Sequence, residues 1–555
     1  MNVQELKTIL AHNKEPIAVT APLKLKGTAL VGLYTSVGDS YCAELPTSEL
    51  KLIGELLYLP KHFPIIVHGL KRIWEFLDFN TDELDLKLVT DTKLLAYLLD
   101  PDAGETDGLT LTHLAFQYLE EEYPHVAGEV QDKGLLKALR EILMRDAQVI
   151  WSLGKELPQH MTKDLLRLYH RLELPLMLVL DRMRRVGVGV DGTTAQKERI
   201  RISKEISVLE QRITDGEKIN LMWPSDVFHL LMKRGVRFKS EFVYAIHMVT
   251  TTALEEIAHV YPAVQDILDW RSMVTDLAFL SRASGHERVH PIWQQTRAGT
   301  SRIYARDPAV QNVSRALREK IMVAAPGKVI IKADYSQAQL RILAHLSGDP
   351  ALIDLYQRGG DAHAETAKLL GIDRDAAKEV NFGICFGISS AGLCGKIDAV
   401  IAKRNRSLAS EEHQDMIDEG TAQAYIDGFH SRYSGVQDFF EKEWKRLKAL
   451  PLDRRSVKSL LGRIRRFDTR ANPAIQRSFR VTWPQQIEAD LIKTAMVRLD
   501  RILRRRKIGA RTVMAIHDAL WVEAPHQEAE QVRHLLRKMM TTAGKLRVRL
   551  EVDIK

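Results

Sequence analysis

Cysteine is scarce: only Cys42, Cys385 and Cys394 occur among 555 residues. Three widely spaced thiols make no disulfide framework and no paired metal-ligand motif, which excludes a disulfide-stapled secreted scaffold and suits a reducing compartment. No apolar run approaches the ~18 residues that a membrane span needs. The opening stretch, "MNVQELKTILAHNKEP", has neither a signal-type apolar core nor arginine-rich transit character, so a cytoplasmic location is expected. Neither an internal repeat nor a low-complexity segment is found. One absence is local: no Asp or Glu occurs anywhere from Ile17 to Gly38.

Apolar residues make up 45% of the chain, enough for a sizeable core, and the formal charge is +8 with a pI near 9.1. That balance admits basic patches that meet phosphates, or simply a slightly basic surface. At roughly 100–200 residues per domain, the length suggests about three to five folded units, or fewer large ones. "EPIAVTAP", "TALVGLYT", "SYCAEL" and "FPIIVHGL" read as strands, and "DTKLLAYLLDPD" and "LTHLAFQYLEEEY" as helices, so residues 1–150 form an α/β or α+β unit. Residues 161–215 read as long antiparallel helices. Strand signals at 328–333 and 512–517 enclose a helix-rich stretch of roughly 350–500, so a second sheet is assembled from remote segments. The polar segment 395–420 reads as a mobile insertion.

Chemistry concentrates where strands end. "KVIIKADYSQAQLR" runs from an apolar strand, bounded by Pro326 and Gly327, to a lone acid, Asp334. "ARTVMAIHDALWVEAP" repeats the pattern, with Val513–Ile516 followed by His517 and Asp518. An acid at a strand end more often serves as a turn or cap residue. If these strands are neighbours, however, both carboxylates reach one sheet edge, and hard oxygen pairs suit Mg²⁺. A third element, "RDAAKEVNFGICFG", spaces Arg374, Lys378, Phe382 and Phe386 four apart. Each step drifts by only about 40° around a helix, so all four share a face. Cations followed by aromatics suit a ligand with a polyphosphate end and a flat base end, although an amphipathic helix with Phe in the core gives the same pattern. Gly383 and Gly387 mark a bend or an end.

Together, "DYSQAQLR", "RDAAKEVNFGICFG" and "IHDALW" resemble motifs A, B and C of the family A DNA polymerases, in order. "QTRAGTSRIYARDPAVQN", "DAHAETA", "LLGRIRRF", "PQQIEADLIKTAM" and "LELPLMLVLDRMRRVGVGVD" are similar to other segments of that family. The resemblance implies an α+β right-hand polymerase at 161–555: a thumb at about 161–289, a palm at about 290–350 and 470–555, and fingers at about 351–469. An RNase H-like 3′–5′ exonuclease-type domain precedes it at 1–160. The implied activity is template-directed addition of dNTPs to a primer 3′-hydroxyl by two-metal phosphoryl transfer, in DNA replication or repair, by a monomer with no membrane partner. Asp334 and Asp518 would hold two Mg²⁺ ions, with Mn²⁺ able to stand in. Lys378 would act on the leaving group, and Arg374 and His363 on the β- and γ-phosphates. Phe382 would pack on the incoming sugar and base, and Phe386 on the template side. Tyr335 and Gln339 would line the sugar pocket. Arg302 and Gln486 would read the minor groove of the primer-template DNA, with His517 near the primer end.

Departures from the family pattern carry expectations of their own. Ala338 and Gln339 stand where the family has Ile and Glu, which implies a looser nucleotide pocket and tolerance of lesions, RNA templates or ribonucleotides. Ala519 replaces the Glu of motif C, Asp375 the second Arg of motif B, and Phe386 a Tyr. Around "RSFRVTWPQQIEAD" the spacing is one residue short, which leaves open the alignment of Gln486 and the choice between Arg477 and Arg480 as primer contact. In residues 1–160 the family's first acidic motif falls on "IAVTAP", its second acid on Ile73, and its Tyr-x-x-x-Asp on Ile142 and Asp146. One remaining carboxylate holds no metal pair, so a proofreading fold without proofreading is expected. Because the chain starts at this domain, the family's 5′ nuclease is expected to be absent. The competing readings are a decayed, non-catalytic DNA-binding polymerase and a nuclease working from residues 1–160.

Overall fold

Strand segments from both ends of the sequence pair into two main sheets. The computed structural model describes residues 2–24, 28–49, 63–71, 73, 84–122, 132–237, 249–255, 257–258, 260–405, 415–467 and 473–555. In the N-terminal sheet, Ile17–Val19 lies antiparallel to Thr28–Thr35 and parallel to Ile65–Val67, which in turn is parallel to Val89–Asp91. The apolar triplets Ile17–Val19 and Ile65–Val67 are buried throughout, as central parallel strands must be. The helix Asp132–Glu156 lies across this sheet. It lies so close that a Cβ at Gly32 would meet the Leu143 carbonyl oxygen at 2.0 Å.

Residues 161–215 are largely helical as expected, but the antiparallel partner of Gly192–Thr214 comes from outside that range. Leu174–Val186 stops at Gly187, and Gly192–Thr214 starts on the Asp191 cap. Pro262–Ala283 runs back antiparallel to Gly192–Thr214: Arg212 pairs with Asp266 at one end, and the Gly285 amide donates to Gly192 at the other.

The second sheet joins strands nearly two hundred residues apart in sequence, as expected. Its order is Arg511–Ile516, Ala519–Pro525, Lys328–Tyr335, Val552–Ile554, antiparallel throughout. Helices Pro473–Arg505 and Ala529–Thr541 pack on it. In Lys328–Tyr335 the alternation buries Ile331, Ala333 and Tyr335 and leaves Asp334 open. Between the sheet's segments lie Ala338–Ser347, Ala362–Leu370, Arg374–Cys385, Ser390–Asn405, Glu419–Arg432 and Ser434–Ala449. One expectation fails here. Of the supposed mobile insertion 395–420, residues up to Asn405 are helical, because Leu393, Ile397 and Ile401 recur every four residues and are buried; 406–414 lie outside the described residues.

A buried charge cluster ties the parts together. Lys493 Nζ lies 2.7 Å from Glu173 Oε1, Arg463 pairs with Glu173, and Arg463 Nη2 lies 2.8 Å from Asp490 Oδ1. Gln295 Nε2 donates to Glu173 Oε2 at 2.6 Å, and Ser459 Oγ to Asp490 Oδ2 at 2.6 Å. Burial alone would lift the Glu173 carboxyl, but Lys493 and Arg463 outweigh it and hold it at about 2. Removing one member strands buried charge. Glu173→Ala is therefore expected to cost ~3–5 kcal/mol of stability, whereas Arg358→Ala, which breaks the exposed pair with Asp354, costs under about 1 kcal/mol. Urea unfolding of both variants checks the contrast.

Candidate active site

Asp518 sits in the two-residue turn between Arg511–Ile516 and Ala519–Pro525, where Ile516 and Ala519 face each other. Ala519 is also the register partner of Asp334, and the Tyr335 amide donates to the Asp518 carbonyl at 3.3 Å. The two carboxyls therefore meet at one sheet edge, within hydrogen-bonding reach of each other. Asp553, on the edge strand, is Asp334's partner on the other side. Partial burial, then the Asp553 charge, raises the Asp334 carboxyl, while Lys378 pulls it down. Asp518 is raised well above the ordinary range by burial, then by Glu488 and Asp334. Two non-glycine residues in the left-handed region flank the pair: Gln337 at φ 54° and His517 at φ 51°. Such backbone concentrates at functional sites. Gln337 is held by its neighbours, its Oε1 accepting from Tyr356 Oη at 3.2 Å and the Ala362 amide at 3.0 Å.

The helix Arg374–Cys385, its N-terminus capped by Asp373, carries Lys378 close enough to act on the Asp334 carboxyl. Arg374 and Lys378 are exposed and Phe382 and Phe386 half-buried, whereas Ala376, Ala377, Val380, Asn381 and Ile384 face the core. Arg374 and Lys378 thus lie on the open face with Phe382 half-buried along it, while Phe386, at the helix C-cap, packs against the hydrophobic core. Phe382 and Phe386 stack with centroids 6.2 Å apart, and His363 tilts on Phe382 at 5.5 Å. The helix ends one residue before Phe386. Gly387 at φ 78° donates to Ile384, and the Ile388 amide to Gly383, a complete Schellman stop. Beyond it lies a cavity of about 240 Å³ lined by Gly387, Arg477, Arg480 and Gln437.

Arg374 grips Asp361 through Nη2 at 2.7 Å and Nε at 3.1 Å, and Asp361 caps Ala362–Leu370. His363 is buried, and burial lowers its pKa to about 4. Asn381 Nδ2 donates to His363 Nδ1 at 2.9 Å, while Asn381 Oδ1 accepts from Thr366. An amide nitrogen only donates, so the ring proton resides on Nε2. His363 is a neutral donor at the cationic end of the helix, not a third positive charge.

Other sequence-predicted residues are less open than expected. Tyr335 is buried and its hydroxyl donates to the Met540 carbonyl at 2.8 Å. Gln486 is fully buried, Nε2 donating to the Gly299 carbonyl at 3.2 Å. Gln339 Nε2 donates to Glu488 Oε1 at 3.0 Å, and Arg302 Nη2 to Glu488 Oε2 at 2.7 Å. His517 is exposed beside Asp518. Glu488, Gln337 and Asn381 carry no role in the sequence reading. All three lay inside quoted motifs, but no spacing singled them out.

The donor set is two hard oxygens whose mutual repulsion a cation would relieve, which fits Mg²⁺. No cluster of three or more His, Cys, Asp or Glu able to hold a metal occurs among the described residues. In the N-terminal sheet, Asp91 spends its carboxylate on the amides of Gly69, Leu70 and Leu94. Ile73 is buried, and burial lifts Asp146 to about 6.

The site thus joins an antiparallel sheet bearing a carboxylate pair to a helix that offers cations and then aromatics. Comparison with known proteins gives the family: residues 193–555 match the model of DNA polymerase family A, and the chain belongs to that family. It is 31% identical over 510 residues to "DNA polymerase I, thermostable" of Thermus thermophilus, covering 85% of this chain and 55% of that protein. It is 28% identical over 503 residues to DNA polymerase I of Geobacillus stearothermophilus, covering 84% of this chain and 54% of that protein. The chain thus spans about half the length of these curated relatives. The solved "POL domain of Pol1 from M. smegmatis complex with DNA primer-template and dNTP" shares the fold, with TM-score 0.77, 23% identity, and coverage of 99% of this chain and 96% of that one. No helix among the described residues is long and apolar enough to cross a membrane.

His363 yields a pH signature. Its folded pKa near 4 lies below the ordinary ~6.5 of an unfolded histidine. The unfolded chain therefore takes the proton first, and stability falls as pH drops from about 6.5 toward 4. NMR titration of the ring nitrogens should show a neutral Nε2–H tautomer at pH 6, and His363→Gln should flatten that part of the stability curve.

Proposed function

We propose that the chain is a template-directed DNA polymerase that extends a primer 3′-hydroxyl with dNTPs. Residues 161–555 would be its polymerase domain: thumb at about 161–289, palm at about 290–350 and 470–555, and fingers at about 351–469. The observation that carries the reading is the meeting of Asp334 and Asp518 at one sheet edge, within reach of Lys378 on the helix Arg374–Cys385. Primer-template DNA and dNTPs, named with the solved relative, would be the partners here too. Asp334 and Asp518 would hold the divalent ions, Mg²⁺ or Mn²⁺, which when bound activate a hydroxyl and neutralise phosphate charge.

The protein's own groups do the rest. Lys378, exposed and close enough to act on Asp334, stabilises charge developing on the leaving pyrophosphate. Arg374, released from Asp361 or sharing it, takes phosphate oxygens in bidentate fashion. His363 donates one Nε2–H without adding charge. Phe382 packs on the incoming sugar and base and Phe386 on the template side. Tyr335 supports the sugar pocket from beneath, since its hydroxyl is spent, while Gln339 faces it. Arg302 and His517 lie toward the primer end. Gln486 supports the Gly299 turn, and a minor-groove role needs its release from that carbonyl. Ala338, buried at the start of its helix, offers less bulk beside the sugar pocket, which favours relaxed selection.

Asp334→Ala and Asp518→Ala are each expected to abolish incorporation while DNA affinity, set mainly by phosphate contacts, stays within about twofold. Lys378→Ala and Arg374→Ala each lose ~10²-fold. Primer extension with DNA and RNA templates, and with dNTPs and NTPs, measures all of these and the relaxed selection together. Robust extension by either aspartate variant would remove the pair from the site.

The exonuclease-like unit, residues 1–160, is proposed to be inert. Its described residues offer a capping Asp91 at a strand end and a partly buried Asp146 within the helix Asp132–Glu156, with no cluster of acids among them. A 5′-labelled single strand should stay full length in Mg²⁺ or Mn²⁺. Shortening that survives an Asp334→Ala, Asp518→Ala double variant but vanishes in Asp146→Ala would show a working nuclease.

A further inference from the structure

Glu488 is a buried carboxylate, 2% exposed, in the middle of the long helix Pro473–Arg505. Both its oxygens are engaged, and both partners belong to the nucleotide and primer side of the site. Oε1 accepts from Gln339 Nε2 at 3.0 Å and Oε2 from Arg302 Nη2 at 2.7 Å. A carboxylate only accepts, so it dictates which end of the Gln339 amide faces it. The NH₂ group turns to Glu488, and the carbonyl oxygen is left for whatever lies in the pocket. A carboxylate at 339 would instead meet a second buried carboxylate at hydrogen-bonding distance, a repulsion that low-dielectric surroundings magnify. The amide at 339 and the acid at 488 are therefore one unit, with the single negative charge on the long helix rather than on the helix that follows Asp334.

We infer that Glu488 is a positioning residue for nucleotide sugar selection, orienting the Gln339 amide toward the sugar while holding the Arg302 guanidinium in place. The inference rests on the polymerase reading above and goes beyond it by assigning selection to a charge remote in sequence. Ribose and deoxyribose differ by one hydroxyl, able to donate or accept. A carbonyl oxygen held in a single orientation treats the two differently from an amide free to flip.

The test is a charge exchange. Gln339→Glu alone places two acids together and is expected to lower kcat/KM for dNTPs at least tenfold. Gln339→Glu with Glu488→Gln restores one acid and one amide and should recover to within threefold of the wild type. Glu488→Ala should shift the dNTP-to-NTP ratio of kcat/KM at least fivefold with primer-template affinity within about threefold. A purely structural contact would scale both substrates together and leave that ratio alone. Urea unfolding of the wild type, Gln339→Glu, Glu488→Gln and the double variant reads the contact without any nucleotide, and the two singles should be non-additive. A double variant no better than Gln339→Glu, or a ratio that stays within twofold in Glu488→Ala, overturns the inference while leaving the polymerase reading intact. A wild-type chain that extends no primer overturns both.

Discussion

Two acids and two bases, Glu173, Asp490, Arg463 and Lys493, are buried together where four remote stretches of chain meet, and the site depends on that meeting. Each ion taken out of water costs several kcal/mol, and that cost is offset only when its partners are present and hydrogen-bonded. Three charges without the fourth would be worse than none. The cluster therefore forms as a whole, and its formation brings together the 173–174 helix junction, the 456–466 hairpin, Gln295 and the helix Pro473–Arg505. Tyr97 adds the N-terminal unit, its hydroxyl donating to the Ala298 carbonyl at 2.6 Å.

That long helix is the physical link between scaffold and chemistry. At 33 residues it spans about 50 Å. Lys493 and Asp490 anchor it in the charge cluster, Glu488 reaches Gln339 and Arg302, and Gln486 reaches Gly299. Segment 295–302 is gripped from both sides, by Glu173 through Gln295 and by Glu488 through Arg302. A displacement of the helix would move the scaffold contacts and the pocket wall together, so rigidity in one is rigidity in the other.

Within the site, charge is graded by position. Asp334 and Asp518 are pushed up by burial and by neighbouring acids, a state that a cation would relieve. Arg374 and Lys378 keep open faces, where a polyphosphate could exchange with water. His363 between them is held neutral by burial and oriented by Asn381. A third full charge there would repel the first two, whereas a neutral N–H adds a donor without that repulsion.

The sequence by itself determined what local periodicity encodes. Apolar runs that lead to Asp334 and to Asp518 became strands of one sheet, with Ala519–Pro525 between them, because alternation and flanking turn residues specify strands without tertiary help. Arg374, Lys378 and Phe382 of the four-apart series share one helix face, because 3.6-residue winding places them there, and Phe386 follows at the C-cap. The acid-free stretch from Ile17 became buried central strand. Tertiary structure alone decided the rest. A polar residue within a helix has the same local signature whether it meets water or a buried partner, so nothing local to Glu488, Asp490 or Lys493 marks them as buried. Segment 395–405 read as part of a mobile insertion because its charges masked buried Ile397 and Ile401. Gln339 and Glu488 lie 149 positions apart and Arg302 and Glu488 186, and such pairs are joined only when the sheet and long helix close on each other. No spacing rule reaches that far, because the contact is set by the packing of whole elements, not by the winding of any one.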